Sequence, residues 1–149
     1  MRNKKGFTLA EIMTVLVILS VVAGLAVPGY FRTVEQSRSN EARTNLNIIL
    51  MGQKIYRINN ATYWSGGNLA LDAQANLDTI NNTLNIDLSS ARFYTALSFT
   101  GVSAAGYTAT LTRNNQNGGN GADFIQHVFT TGAPLVCNGQ FFGVATNGC

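Results

Sequence analysis

Glu11 is the residue most in need of a chemical reason. It is the only charged side chain between Phe7 and Val27, within the stretch "KKGFTLAEIMTVLVILSVVAGLAVPGY" that runs from Lys4 to Tyr30. A carboxylate in apolar surroundings is costly unless it is paired, and charges within membrane segments are usually paired or functional. Just ahead of it stands Gly6-Phe7, preceded by Arg2, Lys4 and Lys5. A cut after Gly6 would make Phe7 the new terminus and put an α-amine at the head of the apolar run. A helix would then place Glu11 about one turn from that amine. Between chains, the amine of an incoming copy could meet the Glu11 of a copy already in place. Such a pair offsets two desolvation costs and fixes axial register, so the glutamate would act as an assembly address.

The rest of the chain offers little reactive chemistry. There is one histidine, His127, and after Asp87 the only carboxylate side chain is Asp123, so no nucleophile–base–acid set can be drawn and no enzyme is expected. A single histidine with neither CxxC nor zinc spacing gives no metal centre, and the acid-poor second half is a poor calcium ligand set. No cofactor is implied. Cys137 and Cys149 would close a loop of 13 residues. Delivery outside the cytoplasm makes a disulfide between them the natural reading, worth on the order of 3 kcal/mol in the chain-entropy picture, with two free thiols as the alternative.

The element that carries Glu11 is long. Phe7 to Val27 is 21 residues, and at ~1.5 Å each that helix would span roughly 32 Å, enough for a bilayer core. The basic flank favours a cytoplasmic amino terminus. An ordinary secretory signal would cut near Gly24 and Ala26, but it would carry Glu11 inside its apolar region and Pro28 just past the cut. A plain signal anchor leaves Glu11 unexplained. The formal charge of +3 comes from the leader: without residues 1–6, seven basic side chains face seven acidic ones. A nucleic-acid partner is therefore weakly supported, resting on Arg92 and Arg113.

The string Lys4-Lys5-Gly6/Phe7-Thr8-Leu9-Ala10-Glu11-Ile12-Met13, heading an apolar helix and followed by Pro28 and Tyr30, closely resembles the type IV pilin and pseudopilin family. Ala10 is smaller than the aliphatic more usual there. The motif match covers Lys5 to about Tyr30; beyond it the likeness is one of layout. The resemblance implies that a prepilin peptidase in the inner membrane cuts between Gly6 and Phe7 and N-methylates Phe7. It further implies assembly into a helical homopolymer through the apolar helix, driven by a dedicated ATPase and membrane platform. Gly24 and Pro28 both weaken a helix, and in family filaments the stretch around the matching proline can lose helical structure, here Ser20 to Pro28.

The elements behind this segment read as α+β. Phe31, Val34, Ala42, Leu46, Ile49 and Leu50 recur at helical spacing, and the helix should end near Asn59-Asn60. Glu35–Arg38 and Arg38–Glu41 are opposite charges three apart, facing neighbours or solvent. A mixed segment follows, with a short helix around Ala75 to Leu84. The period then becomes two: Phe93, Thr95, Leu97 and Phe99 on one face, then "GYTATLTR", then Phe124 to Thr130. These predict an antiparallel sheet of 3–4 strands laid on the helix, with His127 pointing off that sheet. The Asn/Gly-rich loop Asn114 to Ala122 and a tail bounded by the cysteines complete the layout; a C-terminal disulfide-bounded loop is a frequent feature of the resembled family.

The expected organisation is a leader (1–6), a membrane and filament-core helix (7–29) and a globular head (30–149). The function this implies is a structural pilus subunit, held in the inner membrane as precursor and then displayed on the cell surface. The alternatives are a minor pilin, a type II secretion pseudopilin, or a DNA-uptake or adhesive pilin.

Overall fold

A computed structural model describes residues 6–114, 123–141 and 144–147. The chain divides into two units, Met1–Ser37 and Arg38–Cys149. One helix, α1 (Leu9–Asn60), contributes to both. The second unit adds β1 (Asn68–Ala70), α2 (Gln74–Leu84), β2 (Tyr94–Thr100), β3 (Gly106–Arg113), β4 (Phe124–Thr130), β5 (Val136–Phe141) and β6 (Val144–Asn147). The strands form a single antiparallel sheet in sequence order.

Helix α1 ends where expected. Beyond Asn60, Ala61 takes a left-handed conformation (φ 59°) and its N–H still bonds the Arg57 carbonyl at 2.8 Å, closing the last turn. The chain after this stop is tied back by a residue the periodicity does not reveal. Gln53 is fully buried; its Nε2 donates to the Trp64 carbonyl at 2.9 Å and its Oε1 accepts from the Trp64 N–H at 2.8 Å. Asn81 staples the segment after α2 in the same way, donating to the Leu88 carbonyl at 3.0 Å and accepting from its N–H at 2.8 Å. Each amide side chain supplies the partners that a reversing backbone lacks.

Ala42, Leu46, Ile49 and Leu50 of α1 form one apolar core with Leu77, Ile80 and Leu84 of α2 and with Leu97, Leu111 and Ile125 of the sheet. That core is the α+β arrangement the periodicities predict. Phe31 departs from the expected face: its side chain is exposed. α2 also meets α1 closely, since a Cβ at Gly52 would stand 2.7 Å from Ile86 Cγ2 and 2.9 Å from Leu84 Cβ.

The sheet is larger than expected, with six strands against three or four. β1 is three residues long, too short for a side-chain period to show. β5 and β6 lie in the tail read as a loop, where Asn, Gly and Gln hide the strand. Their pairing is carried by main-chain hydrogen bonds, which need no apolar alternation. β2 begins with an irregularity between Tyr94 and Ala96, so Tyr94 and Thr95 are both buried and Phe93 falls just outside the strand. At the β2–β3 hairpin Gly101 supplies the left-handed turn (φ 60°).

His127 does not point off the sheet. It is buried on the packed face, opposite Ala109 in register and only 1 % exposed. Burial, and secondarily the Arg43 guanidinium, hold its imidazole below the usual histidine range. Arg113 is also withdrawn from solvent: its guanidinium stands 3.9 Å from the buried Asp123 carboxylate, at the two ends of the Asn/Gly-rich connection. Most of that connection, residues 115–122, lies outside the described residues, as do Cys149 and the side chain of Cys137, and hence the expected disulfide.

Candidate assembly segment

Gly6, Phe7 and Thr8 precede the first helical residue, Leu9. The peptide bond expected to be cut therefore lies in non-helical chain, with Phe7 84 % exposed. A peptidase needs extended substrate that can be lined up in a groove, and a bond inside a helix would first have to be unwound.

Thr8 is the residue that sequence reasoning passed over. Its N–H and its hydroxyl each donate to Glu11 Oε2 at 2.9 Å, while the Glu11 N–H points back to Thr8 Oγ1 at 3.3 Å. This is a capping box: the threonine before the helix and the glutamate three residues later satisfy donors that the first turn leaves free. The signal was present in the sequence as Thr-x-x-Glu. Within one chain, then, the carboxylate already has local partners. Its negative charge also sits at the positive end of the helix dipole. What the capping box leaves in place is the net charge, since threonine brings hydrogen bonds but no cation.

From Leu9 to Val27 the side chains face outward, whereas Glu35, expected to face neighbours or solvent, is buried. Ile12, Met13, Val15, Leu16, Val17, Ile18, Leu19, Val21, Val22 and Leu25 are each about half exposed or more. This is the one helix among the described residues long and apolar enough to cross a membrane, and none of its apolar window is buried. So large an unburied apolar surface marks a site of association with lipid or protein. Thr14 and Ser20 return their hydroxyls to the carbonyls of Ala10 and Val17, so they add little polarity to that surface.

Gly24 and Pro28 do not break the helix in the single chain, because α1 runs through both. A proline in a helix interior costs one hydrogen bond, the one to the carbonyl four residues earlier, which here is that of Gly24.

Elsewhere in the second unit, Arg38 places its guanidinium 4.2 Å from the centre of the Phe93 ring, with Arg92 at 5.8 Å. Of the two arginines considered for nucleic acid, Arg92 is exposed and Arg113 is in the buried pair with Asp123. Among the described residues no group of three or more His, Cys, Asp or Glu side chains converges as a metal site.

Residues 1–27 match the family model for the prokaryotic N-terminal methylation motif. The type IV wide pilus major component PilA4 of Thermus thermophilus is 29 % identical over 94 residues, covering 63 % of this chain and 72 % of that protein. The type IV major pilin protein PilA of Myxococcus xanthus is 36 % identical over 54 residues, 36 % of this chain and 24 % of its own length. The type II secretion system core protein G of Pseudomonas aeruginosa is 36 % identical over 62 residues, 42 % of this chain and 44 % of its own. By its N-terminal methylation motif and by these relatives, the chain is similar to type IV pilins and to type II secretion pseudopilins. No solved structure matches it. Two of these three relatives are matched over less than half of their own length, and the PilA4 component alone is matched over most of it. These relatives are named as components of pili and of a secretion system, not as enzymes.

Proposed function

We propose that this chain is a structural subunit of a type IV pilus. One observation carries the reading: an outward-facing apolar helix, headed by an accessible Gly6–Phe7 bond inside a methylation motif. In this reading residues 1–6 are a leader removed by prepilin peptidase, and Phe7 is then N-methylated. Residues 7–29 hold the precursor in the inner membrane and later form the filament core, with residues 30–149 as the head. An assembly ATPase and membrane platform move the subunit from lipid to filament. Helix would be lost around Gly24 and Pro28 only in the filament, where neighbours can compensate the backbone. A Cys137–Cys149 bridge would close the tail.

Glu11 has two tasks here. Its capping box starts the helix in each subunit, and its unneutralised charge recruits the Phe7 amine of the next. That amine can compete for the carboxylate because it brings a positive charge, which Thr8 cannot.

A second reading, a type II secretion pseudopilin, is favoured by the match to core protein G. The longer match to the wide pilus component favours the pilus. The test is to shear filaments from native cells and determine the terminus of this chain by mass spectrometry. N-methyl-Phe7, abundant in the sheared fraction, is the expected result. The same terminus confined to membranes would favour the pseudopilin. A chain starting near Val27 would refute both.

A further inference from the structure

Two flanks of α1 in the second unit carry exposed charges of opposite sign, with the exposed Arg92 following directly after the acidic stretch. Gly52 marks the first flank, since that side of the helix lies against Leu84 and Ile86 at the end of α2. Lys54, two residues on and so roughly 200° around the helix, marks the second. Its ammonium stands over β4, 5.5 Å from the centre of the Phe129 ring.

The two flanks differ in charge. From Ile58 to Ala91 the chain that builds the α2 flank holds Asp72, Asp78 and Asp87 and no lysine or arginine. All three aspartates are exposed. Gln74 Nε2 donates to Asp78 Oδ1 at 2.8 Å, steadying that carboxylate on the open face of α2 while Leu77, Ile80 and Leu84 face the core. On the other flank Lys54 is an exposed cation carried on a half-buried aromatic ring. A cation so placed has lost part of its freedom, and less is given up when an anion arrives.

We propose that the Lys54–Phe129 flank of one head docks on the aspartate flank of a second copy of this chain. The two surfaces are different patches of the same molecule, so the contact is heterologous, and a heterologous contact that does not close propagates as an open helical polymer. Each exposed ion pair contributes little by itself. Its effect is on choice of neighbour and on register, repeated at every subunit. The proposal rests on the filament reading above and adds to it which faces of neighbouring heads meet.

The chemistry of the chain makes this directly measurable. Lys4, Lys5 and Lys54 are its only lysines, so once the leader is removed Lys54 carries the only lysine amine. A water-soluble carbodiimide applied to sheared filaments activates a carboxylate, and an amine in direct contact displaces the activated group to form an amide without a spacer. The expected result is a ladder of covalent multimers running beyond the dimer, with cross-linked peptides joining Lys54 to Asp72, Asp78 or Asp87. The ladder should be lost in Lys54→Gln filaments, which separates it from any amide formed through the Phe7 amine. Intact filaments with no Lys54 cross-link, a product that stops at dimer, or Lys54 joined to another carboxylate would each overturn the proposal while leaving the filament reading intact. If no filament carries this chain, the filament reading fails and this proposal fails with it.

Discussion

Gly52→Ala tests the contact that seats α2 on α1. The new Cβ would lie 2.7 Å from Ile86 Cγ2, 2.9 Å from Leu84 Cβ and 3.2 Å from the Leu84 carbonyl oxygen. Apolar carbons rest at about 3.5–4.0 Å, so the two carbon contacts must open by roughly 0.6–1.3 Å. Ile86 can yield in part, since it follows the left-handed Asn85 that ends α2. Leu84 Cβ is fixed to the α2 backbone within the core, so relief there means moving α2 itself. Overpacking of this kind costs about 1–3 kcal/mol. Against it stands the helix-propensity gain of alanine over glycine, about 1 kcal/mol. The net expectation is a loss of about 1 kcal/mol for Gly52→Ala, and about 3 kcal/mol for Gly52→Val, which adds two more methyl groups to the same gap. The assay is urea unfolding of the full chain in detergent, read by Trp64, the only tryptophan. Trp64 is bonded to Gln53 and packed 5.7 Å from Phe99, so it reports on the head. If Gly52→Ala is instead more stable than the parent by about 1 kcal/mol, the propensity term acts unopposed and the α1–α2 contact is refuted.

Two further substitutions separate local from collective roles. Glu11→Gln keeps a carbonyl oxygen for the Thr8 capping box but removes the charge; Glu11→Ala removes both. Both variants should remain in the membrane and fail to yield sheared filaments, whereas filaments at parental level from Glu11→Gln would show that capping is the whole of the residue's work. His127 has a folded-state pKa below its ordinary value, so the unfolded chain takes up its proton first, near pH ~6.5. Its contribution to stability is therefore full above that pH and is lost as pH falls through the lowered folded value. Thermal midpoints of parent and His127→Gln between pH 7.5 and 5 should show the slope shrinking in the variant; equal slopes would mean the imidazole is not protected from protonation.

The sequence by itself determined the elements whose cause is local. The Thr8–Glu11 box and the apolar run to Val27 lie at and within the first turns of one helix, and a one-dimensional pattern carries that information in full. The end of α1 at Asn60, the helix near Ala75–Leu84 and the strands β3 and β4 were legible for the same reason, since each declares its period in its own residues. Tertiary structure decided what depends on partners distant in the chain. β5 is a strand because β4 offers an unpaired edge, and β6 because β5 then offers the next; nothing in "VCNGQF" announces it. His127 is buried because its register opposite Ala109 turns it under α1, and strand alternation gives two faces without saying which one the helix covers. Arg113 is an inward charge because Asp123 returns beside it across a loop. Gln53 looks like a polar surface residue until the chain reversal beyond Asn60 brings the Trp64 backbone to it. In each case the deciding term is the desolvation of a polar group, and its sign depends on a partner that only the fold supplies.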